Sequence, residues 1–230
     1  MRRMIALLLC LSLLPLPVRA EETKYVALTF DDGPSGKYTR QLLDGLYDRG
    51  VKATFLLCGY RIKEYPDIAQ RIFDEGHEIG CHGYSHKNMQ HMSRRDLAQE
   101  IIDTHALLPE GCTPKFLRPP GGCCSDGIRQ VAEARQLAIL SWSVDPRDWA
   151  TNDTVAIERA VLKNIKDGDI VLLHDMTVSS VRAALDIVDV LMEEGFEIVT
   201  VSEMAKIRNV RLKPGQVYTS FPKKTEDKVK

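Results

Sequence analysis

The feature that most constrains the fold of this 230-residue chain is a regular alternation of short apolar runs with longer amphipathic segments. The apolar runs, such as residues 25–30 and 169–174, are rich in leucine, β-branched and aromatic side chains, whereas segments such as residues 39–49 carry apolar side chains at helical spacing. We count seven units of a strand followed by a helix between residues 25 and 208. This pattern predicts a mostly parallel sheet covered by helices, and seven units favour a closed barrel over an open doubly wound sheet.

The boundaries of these elements follow from the apolar spacing and from Gly, Pro and capping residues between the runs. The predicted strands are residues 25–30, 51–57, 77–81, 115–117, 137–144, 169–174 and 196–201. The predicted helices are residues 39–49, 62–75, 126–135, 154–166 and 179–194, a helix capped by Ser93, and a short helix that ends near Arg208. The length of the chain agrees with a single domain.

The amino terminus has the composition of an export signal. Two arginines precede ten mostly apolar residues at positions 5–14, and the segment closes with Val18-Arg19-Ala20, a pattern that signal peptidase accepts. The apolar run is shorter than the roughly 20 residues that a membrane-spanning helix needs. We therefore predict a signal peptide over residues 1–20, one folded domain over residues 21–208, and a polar C-terminal tail over residues 209–230 that is either a packed strap or mobile. A secreted or extracytoplasmic protein without stable membrane insertion is expected.

Composition and charge exclude several classes of protein. The chain has 44% hydrophobic and 27% charged residues, which is typical of a globular protein and not of a disordered, collagen-like or multispanning chain. Residues 21–230 contain 28 basic and 32 acidic residues and carry a net charge of −4. A mildly acidic protein has no electrostatic basis for binding nucleic acid or anionic lipid. We expect a monomer.

Polar side chains follow most of the apolar runs, at the edge of the sheet where parallel α/β folds bind their ligands. In chain order they are Asp31 and Asp32, His82 and His86, Arg118, Asp145 and Asp148, and His174 and Asp175. Each has an ordinary alternative as a turn or cap residue. Five such coincidences at one edge nevertheless predict a single site of acids and imidazoles.

Part of this set has the composition of a metal site. Gly33 and Pro34 end the first strand, which allows Asp31 and Asp32 to serve one site although neighbours on a regular strand point to opposite faces. The spacing of His82 and His86 puts two imidazoles on one side of a helical turn, and one added carboxylate completes a three-ligand site with open positions. Zinc is the first choice for these donors, and Co or Ni also fits. Fe(II) uses the same ligand types, so an oxygenase remains open at this point.

The same residues fall into five ordered motifs. They are Thr29-Phe30-Asp31-Asp32-Gly33-Pro34, His82-Gly83-Tyr84-Ser85-His86, Arg118-Pro119-Pro120, Asp145-Pro146-Arg147-Asp148-Trp149 and Leu172-Leu173-His174. In order and spacing they resemble the motifs of the polysaccharide deacetylases, also described as carbohydrate esterase family 4 or the NodB-homology domain. The resemblance spans residues 25–208, and its first and fourth motifs are the most specific.

The resemblance implies a fold and an activity. The fold is an α/β, distorted (β/α)7-type barrel with parallel strands and outer helices, and residues 21–208 would be the catalytic domain. The activity is that of a metal-dependent hydrolase of non-peptide amide bonds, which removes N-acetyl groups from N-acetylglucosamine polymers such as peptidoglycan or chito-oligosaccharide. Some members instead remove O-acetyl groups from xylan.

By matching position, the resemblance also implies three groups of site residues. The metal ligands would be Asp32, His82 and His86. The catalytic residues would be Asp31 as general base, His174 as general acid, Arg118 to orient Asp31, and Asp148 to orient and charge-stabilise His174. The substrate-binding residues would be Trp149 and Leu172 as apolar walls for the acetyl methyl, and Gly121, whose backbone N–H would stabilise the oxyanion.

This sequence departs from the family pattern at two positions. The second residue of the histidine motif, commonly Ser or Thr, is Gly83, and the aromatic that usually follows Arg-x-Pro is Gly121. The missing ring removes a wall of the substrate groove, which bears on substrate preference more than on activity. Cys123 and Cys124 follow directly, and we expect a disulfide from one of them to Cys58, Cys81 or Cys112 to stiffen this loop.

Two hypotheses from other classes stand beside the deacetylase. One is a non-catalytic glycan-binding relative, in which Gly121 marks a decayed groove, although every residue assigned to chemistry is present. The other is a thiol- or metal-handling protein built on the five cysteines of residues 21–230. No C-x-x-C spacing occurs among them, so the sequence offers this second hypothesis little support.

Overall fold

The computed structural model describes residues 22–223. The predicted signal peptide over residues 1–20 lies outside the described residues, and so do residues 224–230 of the predicted tail. Within residues 22–223, no helix has the length and apolar character that a membrane span requires.

The strands form one curled parallel sheet. They are β1 (Lys24–Asp31), β2 (Thr54–Leu57), β3 (Glu78–Cys81), β4 (Phe116–Leu117), β5 (Ala138–Leu140), β6 (Asp169–His174), β7 (Phe196–Ile198) and β8 (Val217–Tyr218). Their order is β6-β1-β2-β3-β4-β5-β8, and β7 pairs with the first residues of β1. Beyond β5, Val144 forms a bridge to Val171 of β6, and this contact closes the curl. The predicted α/β fold of parallel strands in a distorted barrel with outer helices is confirmed.

Eight helices lie outside the sheet among the described residues. They are α1 (Tyr38–Asp48), α2 (Gly59–Glu64), α3 (Pro66–Asp74), α4 (Arg94–His105), α5 (Asp126–Ala134), α6 (Thr154–Leu162), α7 (Val178–Glu193) and α8 (Val201–Ile207). Side chains of Ser93, Ser125, Asp153, Thr177 and Thr200 accept hydrogen bonds from the first turns of α4 to α8. These caps explain why the helix starts were predictable.

The side chains of β1 show how the two layers of the core arise. Val26, Leu28 and Phe30 pack under the outer helices, whereas Ala27 packs inside the curl with residues such as Leu56 and Ile170 of the neighbouring strands. Since side chains alternate along a strand, Thr29 and Asp31 also point into the curl. The last residue of β1 therefore places a carboxylate at the mouth of the barrel.

Several element boundaries differ from the predictions. The helix predicted over residues 62–75 is two helices, because Pro66 disfavours helical dihedrals at Tyr65, which has φ −130° and ψ 61°. The strands predicted over residues 51–57, 137–144 and 196–201 are each shorter, and Val144 retains only its single bridge. Beyond β7, only the backbone N–H of Val199 still bonds to β1, at the carbonyl oxygen of Val26.

Residues 209–223 pack on the barrel as a strap, one of the two forms expected for the C-terminal segment. It contains β8, which the sequence analysis did not predict, and β8 pairs in parallel with β5. Tyr218 and Phe221 stack on each other in the core, and the backbone N–H of Phe221 donates to the carbonyl of Gly168 at 2.7 Å. Lys223 then forms an ion pair with Glu22, so the strap ends where the described chain begins.

The cysteines form no disulfide within residues 22–223. Cys58 and Cys81 are fully buried, and Cys112, Cys123 and Cys124 are half-buried free thiols. The expected disulfide to the loop after Gly121 is therefore wrong. The Cys123 thiol instead lies 3.5 Å from the carbonyl oxygen of Pro120.

Candidate metal centre and active site

The carboxylates of Asp31 and Asp32 both lie at the mouth of the barrel, at the end of β1, but their backbone conformations differ. Asp31 is the last residue of the strand, points inward and is 3% exposed. Asp32 has left the ladder and adopts a left-handed backbone conformation with φ 71°. Few non-glycine residues occupy this region, which is disfavoured by about 1–3 kcal/mol. The turn brings the carboxylate of Asp32 to the side of the sheet that Asp31 faces, as the sequence analysis required.

His82 and His86 lie on the loop that follows β3. They do not share a helical turn, as the spacing predicted, because residues 82–88 form no helix and Gly83 and His86 both have positive φ, at 80° and 56°. The two imidazoles still converge, with ring centroids 5.2 Å apart. His82 Nδ1 lies 2.6 Å from the carbonyl oxygen of Arg118. A carbonyl oxygen only accepts, so Nδ1 carries the proton and the lone pair of Nε2 faces the site.

Asp32, His82 and His86 form a three-ligand cluster. Oδ1 of Asp32 lies 3.2 Å from Nε2 of His82 and 2.9 Å from Nε2 of His86, and the three ligand atoms all lie within 4.8 Å of one another. Oδ1 is buried but makes no hydrogen bond of acceptable geometry with any described residue. Two imidazole nitrogens and a carboxylate oxygen that converge in this way fit a divalent cation, and two imidazoles with one carboxylate are a donor set for such a site.

The electrostatics of Asp32 agree with this arrangement. Burial raises the pKa of the Asp32 carboxyl, but the two imidazoles of His82 and His86 lower that pKa by more. The net pKa lies well below the usual range, so the carboxylate is charged whenever the protein is folded at neutral pH. A charged carboxylate is the form that binds a metal.

Asp31 faces a buried arginine on the other side. The guanidinium of Arg118 donates to Oδ1 of Asp31 at 2.6 Å, and Arg118 is fully buried. The same nitrogen, Nη1, also donates to Thr29 Oγ1 at 2.8 Å, whereas Nε and Nη2 donate to the carbonyl oxygens of Leu140 and Ser141 at 3.3 and 2.8 Å. Because these further hydrogen bonds hold the guanidinium in place, Arg118 orients the carboxylate of Asp31.

His174 approaches the cluster from the neighbouring strand. It is in register with Asp31 across the β1–β6 ladder, and its Nε2 lies 3.9 Å from Oδ2 of Asp32. Its Nδ1 lies 2.8 Å from Oδ1 of Asp148, and its backbone N–H donates to Oδ2 of the same carboxylate at 2.8 Å. Asp148 is 1% exposed and thus sets the orientation of the His174 ring from beneath.

The charge on His174 follows from these neighbours. Burial lowers the pKa of the imidazole, but the hydrogen bond and charge of Asp148, together with the charges of Asp31 and Asp32, raise it to about 9. The ring is therefore protonated at neutral pH and presents Nε2–H toward the cluster. Such a group can act as a general acid.

Comparison with known proteins identifies the family. The profile of the polysaccharide deacetylase family matches residues 19–140. The chain belongs to the polysaccharide deacetylases. It is 38% identical over 192 residues to a peptidoglycan-N-acetylglucosamine deacetylase of Bacillus cereus, covering 81% of this chain and 90% of that protein.

Further relatives show the range of this deacetylase family. The chain is 34% identical to the peptidoglycan-N-acetylmuramic acid deacetylase PdaC of Bacillus subtilis, over 82% of this chain but only 40% of that protein. Among solved structures, a family 4 acetyl xylan esterase from Clostridium thermocellum in complex with a cobalt ion superposes with a TM-score of 0.80 at 35% identity, covering 86% of this chain and 100% of that chain. The chain thus spans less than half the length of some of its relatives.

The three residues assigned to the substrate lie at the same mouth. Leu172 is on β6, shares its inward face with His174, and is 4% exposed. Trp149 follows Asp148 in a short turn and is 60% exposed, with the guanidinium of Arg147 5.2 Å from its ring. Gly121 lies in the loop after β4 with φ 70°, and an added Cβ there would meet no atom within 4 Å. Each of the three thus lies on a strand or on a loop that follows one, at the edge of the sheet that carries the deacetylase site.

Two residues of this deacetylase site were given no role from the sequence. Thr29 connects the Arg118 guanidinium to the carbonyl oxygen of Val171, to which its hydroxyl donates at 2.6 Å. A polar residue in an otherwise apolar strand was the available signal. Glu100 of α4 contacts the loop of the histidine motif, and its sequence signal is weak, since it is one of several polar residues beside the apolar stripe of Leu97 and Ile101.

Proposed function

We propose that this protein is an exported metal-dependent N-deacetylase that acts on N-acetylglucosamine-containing polysaccharide, peptidoglycan or chito-oligosaccharide. One observation carries the proposal. A three-ligand cluster of Asp32, His82 and His86 lies between two separately buried pairs, Asp31 with Arg118 and His174 with Asp148. This arrangement offers a cation site, a base and an acid within one mouth.

The cation would be held by Asp32, His82 and His86, with zinc as the proposed metal and Co or Ni as substitutes for the same donors. When bound, a divalent cation supplies Lewis-acid polarisation of the amide carbonyl and makes water more acidic. The second interaction of His82, with the carbonyl oxygen of Arg118, fixes the ring that would ligate the metal.

The proton transfers belong to the two buried pairs. Asp31, oriented by Arg118, takes a proton from the attacking water, and the ion pair prevents the carboxylate from rotating away. His174, protonated because its pKa is raised to about 9, gives its Nε2 proton to the leaving amine. Asp148 holds the ring in the orientation that aims Nε2 at the mouth. An amine leaves poorly without a proton, so an amide substrate depends on this acid.

The acetyl group would be bound by the border of the mouth. Leu172 and Trp149 would offer an apolar wall for its methyl, and the backbone N–H of Gly121 would be the donor for the developing oxyanion. A donor of this kind is worth about 3–4 kcal/mol in enzymes from which one was removed. The absence of a side chain at Gly121 leaves the groove wider than in relatives with an aromatic residue.

The decisive experiment measures acetate release from peptidoglycan, chito-oligosaccharides and acetylated xylan. Chelation should abolish turnover, and add-back of Zn²⁺, Co²⁺ or Ni²⁺ should restore it in wild type but not in Asp31→Asn. Release from glycan amides ahead of xylan supports the proposal. A second candidate, an O-acetyl xylan esterase, is favoured by the likeness to the Clostridium esterase, and preferential release from xylan would select it. Glycan binding without turnover would instead show a non-catalytic relative.

Export and the monomeric state are two further parts of the proposal, and each has a separate basis. Export rests on the N-terminal sequence pattern and on relatives named for a cell-wall substrate. The monomeric state is proposed from the self-contained site, in which every assigned residue comes from one chain. Mass spectrometry of the exported protein and sedimentation at micromolar concentration test these two points.

A further inference from the structure

The loop between β3 and the turn at Met89–His91 supplies two of the three candidate metal ligands. Residues 82–88 of this loop form no helix or strand. His86, with φ 56°, lies in the left-handed region that non-glycine residues rarely adopt. The His86 side chain is also 41% exposed, so packing alone does not fix the ring. The position of His86 therefore depends on what anchors residues 83–86.

Glu100 of α4 provides that anchor from one side. Its Oε2 accepts hydrogen bonds from the backbone N–H groups of Tyr84 and Ser85 at 2.7 and 2.8 Å, and its Oε1 accepts from the Ser85 hydroxyl at 2.7 Å. Hydrogen bonds to an ionised acceptor are roughly twice as strong as neutral ones. No Lys, Arg or His among residues 22–223 lies within salt-bridge distance of this carboxylate, so its interactions are directed entirely at the loop.

The opposite side of the loop is bound by the start of α2. The backbone N–H groups of Gly59 and Tyr60 donate to the carbonyl oxygens of Gly83 and Tyr84 at 2.9 and 3.0 Å. The peptide groups between His82 and His86 are therefore held from both sides, with donors satisfied by Glu100 and acceptors satisfied by α2. Of these two contacts, only the one from Glu100 comes from a side chain and can be removed by substitution.

Gly83 gives an independent indication that the carboxylate must approach closely. A Cβ at this position would lie 3.3 Å from Oε2 of Glu100 and 2.5 Å from the methyl of Met89, and the residue has φ 80°. The departure from Ser or Thr at the second position of the histidine motif thus has a physical reason in this chain. The space of a side chain at residue 83 is taken by Met89 and by the carboxylate of Glu100.

We propose that Glu100 is a positioning residue for the metal centre, which holds His86 in ligating geometry through Tyr84 and Ser85. The inference rests on the proposed metal site but not on which glycan is the substrate. Loss of Glu100 frees two backbone donors and a hydroxyl, and the loop then samples conformations in which His86 does not face Asp32. Metal affinity falls, while the chemistry of the fully loaded protein changes little.

The test compares Glu100→Ala, Glu100→Gln and Gln99→Ala. The last is a control on the same helix, where the side chain bonds only Asp103. Dissociation constants for Zn²⁺ and Co²⁺ are measured on metal-free protein by competition with a chromophoric chelator, and the Co²⁺ absorption spectrum reports the ligand geometry. We expect Glu100→Ala to bind both ions about 10–100-fold more weakly, as is typical when a group that supports a metal ligand is lost. Glu100→Gln keeps an acceptor oxygen for the two N–H groups and should lie closer to wild type, and Gln99→Ala should equal wild type.

Other results separate the possible failures. Wild-type affinity and an unchanged Co²⁺ spectrum in Glu100→Ala would overturn the role of Glu100 and leave the metal site standing. Equal metal binding by wild type and Asp32→Ala would instead overturn the metal site and this inference together. If Glu100→Ala does not fold, Ser85→Ala removes one of the three hydrogen bonds. Weaker metal binding in that variant supports the proposal, whereas wild-type metal binding in Ser85→Ala contradicts it.

Discussion

The two halves of the site are built differently. Asp31, Arg118, His174 and Asp148 belong to strand ends or buried turns, and each charged group has a partner of opposite charge within 2.8 Å. Asp32, His82 and His86 lie on loops, and the buried Oδ1 of Asp32 has no hydrogen bond from the described residues. The half that contains the two buried pairs is thus complete as folded, whereas the ligand half is completed by a cation. The first half should contribute more to the stability of the metal-free protein than the second.

The largest expected effect comes from a substitution in the ligand half alone. Asp32→Ala removes the charged ligand, so the metal and its contribution of several kcal/mol are lost, and kcat/KM should fall by about 10⁴-fold or more. The melting temperature of the metal-free protein should fall by less than in Arg118→Met, because the Asp32 side chain is 28% exposed whereas Arg118 is fully buried. Elemental analysis, acetate release and thermal unfolding in a chelator measure the three quantities, and retained metal with retained activity would remove Asp32 from the ligand set.

The next effect concerns the acid in the other half. His174→Ala should lower kcat/KM on an N-acetyl glycan by about 10²–10⁴-fold, since the leaving amine needs a proton. An acetyl ester with a good leaving group needs no such proton and should lose much less. Parallel assays on a chito-oligosaccharide and on an activated aryl acetate provide the comparison. Equal losses on both substrates would contradict the acid role of His174.

A third effect tests the difference in stability between the halves directly. Arg118→Met leaves the Asp31 carboxylate buried without its cation and should reduce the free energy of unfolding of the metal-free protein by about 3–5 kcal/mol. His86→Ala removes a side chain that is 41% exposed and should change it by less than about 1 kcal/mol. Denaturant titrations in chelator, with the exposed Arg129→Met as a control, measure the contrast. A similar loss in both variants would show that the halves are not independent.

The smallest expected effect tests how Asp148 controls the pKa of His174. Asp148→Asn removes the main group that raises the pKa of the imidazole to about 9. The acid must be protonated to act, so activity is lost as pH rises through that pKa, and the alkaline limb of kcat/KM should move down by about 1–2 pH units in the variant. The control is Asp145→Asn, since Asp145 lies on the same loop but accepts only from the backbone N–H of Arg147. An unmoved limb in Asp148→Asn would assign the alkaline limb to another group.

The strand-end residues of the site could be predicted from the sequence, whereas the loop geometry of the ligands could not. Strand ends in a parallel fold meet at one edge, so residues such as Asp31, Arg118 and His174 could be assigned to one mouth from the alternation alone. Loop geometry could not be obtained in this way. The spacing of His82 and His86 suggested a helical turn, but they converge through positive φ at Gly83 and His86, which tertiary contacts impose.

Contacts between distant segments of the chain also could not be predicted from the sequence. The contacts of Glu100 with Ser85 and of β8 with β5 join segments whose local patterns contain no sign of each other. The thiols illustrate the reverse error. A compartment rule suggested a disulfide, but Cys58 and Cys81 are fully buried in the core and Cys58, Cys81, Cys112, Cys123 and Cys124 are all free thiols. Pairings of this kind depend on the three-dimensional packing and not on periodicity.

The ion pair between Lys223 and Glu22 brings the two ends of the described chain together, and this determines how a tag or linker can be attached to the protein. Both ends of the described chain emerge beside the first residues of β1 and β6, at the floor of the barrel. The catalytic mouth opens on the reverse side. An affinity tag, an immobilisation linker or an additional module joined at either end would therefore hold the protein from behind and leave the groove facing an insoluble polymer.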